Sequence, residues 1–423
     1  MQPDGIEQTY LIFILKLSMK KFNPIYNKTL LFILFYLLFT GIGNGVIASN
    51  TQQGKIKHYI TQRGNLTNSF HKFTYEKKGC VAFLGGSITE MEGWRNMIQE
   101  DLRKRFPDTK FQFIDAGIGS TGSTPHAFRF ENDVLKKGTP DLLFVEAAVN
   151  DHTNKFSPED QVRGMEGIVQ HARQINPYMD ILMLHFIYAP FLKQLDKGIQ
   201  PDVIMNHERV ANHYYITSIN LAQEIAERLK NKEFTWKEFG GTHPSQFGHT
   251  FYAKAIESLF DHEQQNMKAE NLQAHYIPEK PLDKSSYLQG AFIDIKEATE
   301  LNGFKYIESW TPESSVKAGT RKGFVQVPML EAKEGGASFK LNFTGRAIGI
   351  FCVSGPNAGV LEYSIDGKPF RQMKTHTPWS NKVYLPWVYM FDKYLKPGQH
   401  TLIVRIKEGT KSECQIRNFV VNR

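Results

Sequence analysis

Residues 81–93, VAFLGGSITEMEG, constrain the fold of this chain more than any other stretch. Four consecutive apolar residues, Val81, Ala82, Phe83 and Leu84, run into Gly85 and Gly86, then Ser87 and a helix-compatible segment. A short, wholly apolar run closed by glycines reads as a buried central strand that stops abruptly. Ser87 then falls at the carboxyl end of a strand, where open α/β sheets place their ligands. A hydroxyl held there, beside the first N–H groups of a helix, suits a nucleophile. A Gly-Gly-Ser tight turn without chemical role fits the same residues. The rest of the chain has to decide between them.

Downstream, apolar runs alternate with helical periodicity. Trp94, Met97, Ile98 and Leu102 recur at helical spacing before Pro107. A strand over residues 111–114 enters the small-residue loop Asp115-Ala116-Gly117-Ile118-Gly119-Ser120-Thr121-Gly122. A helix through Phe128, Phe130, Val134 and Leu135 stops at Gly138, and Pro140 opens an apolar strand over residues 141–149 that ends in Asn150-Asp151. A helix over residues 158–175, stopped by Asn176-Pro177, leads to a strand over 181–187; one further helix is expected over about 207–229. Thr242-His243-Pro244 precedes a closing helix over residues 250–260. This alternation predicts a parallel sheet covered on both faces. After residue 286 short β-rich runs separated by turn dipeptides such as Asp366-Gly367 and Pro397-Gly398 predict an antiparallel sandwich or jelly roll.

The length of 423 residues fits two domains. The net charge of +8 includes only +2 from residues 1–48, and the remainder is spread without a Lys/Arg cluster, so nucleic acid is not an expected partner. Lys20 and Lys21, the apolar run over residues 30–39 and Val46-Ile47-Ala48 have the anatomy of a secretory signal, with Met19 the natural initiator. No cysteine follows to form a lipobox. An exported protein, periplasmic or extracellular and without stable membrane insertion once the signal is cleaved, is expected. Three cysteines make neither a disulfide framework nor a metal motif: Cys80 reads as a buried thiol, and Cys352 and Cys414 could pair in an oxidising compartment.

The loop ends Ser87, Gly119-Ser120, Asn150 and His243 would converge on one rim of such a sheet. In this order they resemble the SGNH-type (GDSL-like) esterases and acylhydrolases. Gly85-Gly86-Ser87-Ile88-Thr89 matches the nucleophile block, with Gly86 where the name motif has Asp. Asp115 to Ser120 matches the second block, Ser120 standing at the oxyanion glycine and Gly119 one residue away. Ala148-Val149-Asn150-Asp151 matches the third and Thr242-His243-Pro244 the last. The resemblance spans about residues 78–262 and implies a flavodoxin-like three-layer α/β hydrolase domain. Around it would lie an N-terminal extension and signal peptide (1–48), a linker (263–285) and a β-sandwich accessory domain (286–423).

Ester hydrolysis needs a nucleophile, a base and donors aimed at the developing oxyanion. The resemblance implies Ser87 as nucleophile and His243 as base, with an oxyanion hole from Ser87, Gly119 or Ser120, and Asn150. No metal or other cofactor is implied. The family's orienting aspartate would stand at Gly240. Its absence leaves a Ser–His dyad, with a backbone carbonyl holding the histidine, or a substitute acid, for which Glu238 is the nearest. Arg129, Glu146 and Asp151 flank the same rim and read as buried ion-pair or capping groups. His207, Glu208 and His213 lack a further ligand at metal spacing. Trp379, Trp387 and Tyr389 fit either sugar stacking or core packing. Architecture and analogy make an acylated, above all acetylated, polysaccharide or oligosaccharide the expected substrate. A lipid or small-ester acylhydrolase, or a weakened glycan-binding protein, are the competing readings. The oligomeric state is left open.

Overall fold

The computed structural model describes residues 57–267, 271–409 and 412–423; the expected extension and signal peptide lie outside them. Strands β1 (Ile60–Thr61), β2 (Lys78–Gly85), β3 (Lys110–Gly117), β4 (Leu142–Val145), β5 (Asp180–Leu184) and β6 (Thr217–Ile219) form one sheet in the order β1-β6-β5-β4-β2-β3. All neighbours are parallel except β1, which pairs antiparallel with β6. Without that edge strand the order is the flavodoxin-like one, and its switch point falls between β2 and β4.

The apolar run of β2 is explained by cover on both faces. Val81 and Phe83 join one core with Phe144, Leu182, Trp94 and Ile256. Phe83 stacks on Phe144 at 4.9 Å between ring centroids. Ala82 and Leu84 join the other core with Val145, Met183, Phe128 and Ile168. Helices Trp94–Arg105 and Gln246–Asn266 cover the first face, Ser123–Phe130 and Pro158–Ile175 the second.

Several boundaries differ from expectation. The strand expected to reach residue 149 ends at Val145, and Asn150 stands in the short helix Ala148–Thr153. Just past the strand end, the Glu146 N–H still donates to Leu84 O at 3.1 Å and its carboxylate accepts from the Gly86 N–H. The single helix expected over 207–229 is two, Asp202–His213 and Leu221–Lys230, with β6 between them. Tyr215, at φ 53°, breaks the helical run before β6. The closing helix is longer than expected, Gln246–Asn266, with Ser245 as its cap. The segment expected as a linker is strapped to the α/β domain: Leu282 and Asp283 donate their N–H groups to the Glu166 carboxylate at 2.6 and 2.8 Å. His275 also bonds Asp180 at 2.8 Å.

The second region is a sandwich of two antiparallel sheets. Strands β7 (Gly290–Ile293), β8 (Thr299–Asn302), β9 (Lys305–Trp310), β10 (Val327–Ala332), β11 (Ser338–Gly345), β12 (Ala347–Ser354), β13 (Val360–Ile365), β14 (Arg371–Lys374), β15 (Leu385–Asp392), β16 (Gly398–Ile406) and β17 (Cys414–Asn422) build it. One sheet runs β15-β12-β17-β10-β9, with β7 also on β17, and the other β14-β13-β16-β11-β8. Strand β12 is buried throughout. Its Ile348, Ile350 and Cys352 face the sandwich interior, while Ala347, Phe351 and Val353 join the core that also holds Leu84 and Phe128. The two regions therefore share one apolar core and fall within a single compact unit. Cys352 and Cys414 are buried free thiols, and Cys80 is half-buried.

Candidate active site

The turn after β2 carries no side chains because it has no room for them. A Cβ on Gly85 would lie 2.2 Å from Glu146 Oε1 and 2.3 Å from Thr89 Oγ1. One on Gly86 would lie 2.0 Å from Asn150 Oδ1, so an aspartate here would have to displace the Asn150 side chain from its place against the turn. Ser87 follows as the first residue of the short helix Ser87–Glu90, where N–H groups have no intrahelical acceptor. Glu146 Oε1 holds this turn from behind, accepting from the Gly86 N–H at 2.5 Å and the Thr89 hydroxyl at 2.8 Å. Burial pushes the Glu146 carboxyl up to about 7, against the lowering effect of those bonds and of Arg129. Arg129 is itself fully buried, donates to the Gly85 carbonyl at 3.0 Å and pairs with Asp133 at 2.9 Å.

The loop after β3 separates the two oxyanion candidates. The Gly119 N–H donates to Glu90 Oε2 at 2.8 Å, so the expectation that it faces substrate is corrected. Ser120 occupies the left-handed region at φ 73°, which accounts for a glycine preference at this position. Its carbonyl accepts from Asn154 Nδ2 at 3.0 Å, and among the described residues its N–H has no acceptor. Asn150 lies across the turn with its amide against Gly86.

His243 arrives from the segment between helices Trp236–Phe239 and Gln246–Asn266. Its Nε2 lies 2.8 Å from Ser87 Oγ. The sequence separation is 156 residues, so the pairing is wholly a product of the fold. Partial desolvation and, after it, the positive charge of Arg321 hold the imidazole below its ordinary pKa. Of the two alternatives for holding this ring, Glu238 as a substitute acid is not met. Its carboxylate accepts from the Thr235 N–H at 2.7 Å and the Thr235 hydroxyl at 2.8 Å, closing a capping box at the start of its own helix. Those bonds also depress its pKa. Among the described residues no carboxylate lies within 4 Å of a His243 ring nitrogen.

Residues 83–251 match the model of the GDSL-like lipase/acylhydrolase family. The α/β domain is a GDSL-like hydrolase domain. No curated protein sequence matches the chain. Among solved structures it is similar to a two-domain esterase active on acetylated mannans, with a TM-score of 0.69 and 22% identity over 86% of this chain and 98% of that one. The same esterase co-crystallised with mannopentaose gives 0.68 and 21%, over 86% and 97%. At this identity the likeness carries the fold, and it carries it across both regions.

In this GDSL-like domain the flanking polar groups serve the frame. Asp151 accepts from the Ser123 N–H at 2.7 Å and bonds His207 at 2.9 Å. Glu208 binds His185 at 2.6 Å and pairs with Arg63. The sequence had flagged Glu146 only as a neighbour of the rim; its grip on Gly86 needs the fold to be seen. Arg321 was missed altogether. It comes from the sandwich, in the connection between β9 and β10, and its Nη2 donates to Ser120 Oγ at 3.3 Å. Nothing local in the sequence marks it. Trp379 is exposed, Trp387 half-buried and Tyr389 buried, with Tyr389 donating to the Thr375 carbonyl.

Proposed function

We propose that the protein is an exported serine esterase that removes acyl groups, above all acetyl, from a polysaccharide or oligosaccharide. The observation that carries this reading is the 2.8 Å approach of Ser87 Oγ to His243 Nε2 beside unpartnered backbone donors. His243, kept neutral by its surroundings, takes the Ser87 proton as the oxygen attacks the ester carbonyl. The negative charge that develops on the carbonyl oxygen is met by the Ser87 and Ser120 N–H groups and the Asn150 amide. Protonated His243 then passes its proton to the departing sugar hydroxyl, leaving an acetyl-Ser87 ester. Water, deprotonated by the same imidazole, releases acetate and restores the serine. No acid is needed beneath the histidine for this cycle, which makes it a dyad mechanism.

The choice of a carbohydrate ester is supported by the second domain and by the similar two-domain esterase, which acts on acetylated mannans. Export rests on the signal anatomy of residues 19–49. Among the described residues no helix is long and apolar enough to cross a membrane. The test compares wild type with Ser87→Ala on acetylated mannan, acetylated xylan and p-nitrophenyl esters of short and long acids. Release of acetate by wild type with loss of at least about 10⁴-fold in the variant is expected. Equal rates for both proteins overturn the esterase reading, and preference for long acyl chains moves it to lipid-type substrates.

A further inference from the structure

We infer that the β-sandwich completes the ester site by supplying Arg321 as a binding group for an oxygen on the alcohol half of the substrate, beside the scissile ester. This rests on the esterase reading and adds a residue to it from outside the hydrolase domain.

The first argument is an unmet charge. Arg321 is only partly exposed, and among the described residues no carboxylate lies within 4 Å of its guanidinium. Its Nε is buried and has no hydrogen-bond partner, and Nη2 makes a single 3.3 Å bond to the Ser120 hydroxyl. A buried cationic donor left unpaired costs free energy that a ligand oxygen recovers. The second argument is place. Ser120 is the residue whose N–H is free for the oxyanion, and a Cβ on neighbouring Gly119 would stand 3.3 Å from Arg321 Nε. The guanidinium therefore reaches the loop that borders the nucleophile, the side on which the proposal places the part of the substrate beyond the acyl carbonyl.

The third argument is rigidity. The segment carrying Arg321 is pinned to the turn before β15: the Gly319 N–H donates to Lys382 O at 2.9 Å, and the Tyr384 N–H to Gly319 O at 2.8 Å. The Phe324 N–H donates back to Arg321 O at 3.1 Å. The Phe324 ring is buried in the core shared by the two regions, 5.1 Å from Phe351. Arg321 is thus held at a fixed site rather than on a free surface arm, which lowers the entropy cost of engaging a ligand. The same turn presents Trp379, half of its surface exposed, and the Lys382 N–H donates to its carbonyl at 3.0 Å. An exposed indole on the turn that pins this segment suits a polyhydroxylated ring and offers little to an alkyl alcohol.

The experiment uses the full chain with Arg321→Ala and Arg321→Lys at pH 8, where His243 is neutral in all forms. The readout is kcat/KM on an acetylated mannooligosaccharide and on p-nitrophenyl acetate, whose alcohol half carries no sugar oxygen. The expected result is a loss on the oligosaccharide at least tenfold larger than on the aryl ester, appearing mainly in KM and partly restored by Lys. Equal losses on the two substrates, or none on either, overturn the proposal. A second measurement does not depend on turnover. On the Ser87→Ala background, Arg321→Ala is expected to weaken binding of the same oligosaccharide at least tenfold by calorimetry, and unchanged affinity overturns the proposal. Failure of the esterase reading would show separately, as a wild type inactive on both esters.

Discussion

Gly240 faces Ser245 so closely that a Cβ on the glycine would lie 2.1 Å from the Ser245 nitrogen. The backbone at Gly240 is also left-handed, at φ 100°. The Ser245 N–H is bonded to Phe239 O at 2.8 Å, so it cannot retreat without opening the turn that delivers His243. The place of the family's orienting aspartate is therefore filled by a conformation no side chain fits. The site is built around the absence of that acid.

Restoring the acid should accordingly do harm. Gly240→Asp is expected to destabilise the protein by at least about 2 kcal/mol, from the left-handed backbone and the contact with Ser245. It is also expected to lower kcat at least tenfold, since His243 lies three residues on. Urea unfolding and p-nitrophenyl acetate kinetics measure both. A faster enzyme would show that the turn can reopen to accept a triad.

Glu238 makes the complementary case. Its carboxylate serves Thr235 at the start of its own helix. Glu238→Ala is expected to leave kcat/KM within about twofold and to lower the melting temperature slightly. A loss near 10³-fold, the scale of removing a triad acid, would make Glu238 the missing acid after all.

What could be read from the sequence follows from how local each cause is. Ser87 was legible because the apolar run marked the end of a buried strand and the later loop ends at Ser120, Asn150 and His243 gave that end a chemical role. The parallel sheet was legible because such runs alternate with helical periodicity. Strand β6 was not: Thr217–Ile219 is three residues long and sits between two helices whose periodicity passes through it. Asn150 was found at the right rim on the wrong element, because Ala147, Ala148 and Val149 prolong the apolar run of β4 in the sequence while the chain turns into the helix Ala148–Thr153. Gly119 and Ser120 could not be told apart until Glu90 claimed one of the two N–H groups. Arg321, 201 residues beyond Ser120, is joined to the site only by the packing of the sandwich.

The charge of Arg321 also sets a pH dependence. As a base His243 has to be neutral; partial desolvation first, and the nearby cation after it, disfavour its protonated form, so its pKa is held down. The acid limb of kcat/KM on p-nitrophenyl acetate is expected below the ordinary histidine range of about 6.5. Arg321→Gln removes the cation and should move that limb to higher pH, whereas Arg321→Lys keeps the charge and should hold it. A limb that stays put in the glutamine variant, or moves down, would mean that desolvation alone sets the histidine.

Glu146 gives a dependence of the opposite kind, on stability. Burial raises its carboxyl to about 7 in the folded protein, while the unfolded chain titrates near the ordinary 4.5. Between these values the unfolded state has released its proton and the folded state has not. By linkage, the folded state's advantage from this group is complete below about pH 4.5 and is lost as pH rises through about 7. The gap corresponds to roughly 3 kcal/mol at most. Glu146→Gln keeps an oxygen acceptor for the Gly86 N–H and the Thr89 hydroxyl but has no proton to lose. Wild type is therefore expected to lose stability relative to the glutamine variant between pH 4.5 and 8, read as the difference in urea midpoints. Parallel pH profiles for the two proteins would mean that Glu146 stays ionised when folded, with Arg129 and the turn donors outweighing its burial.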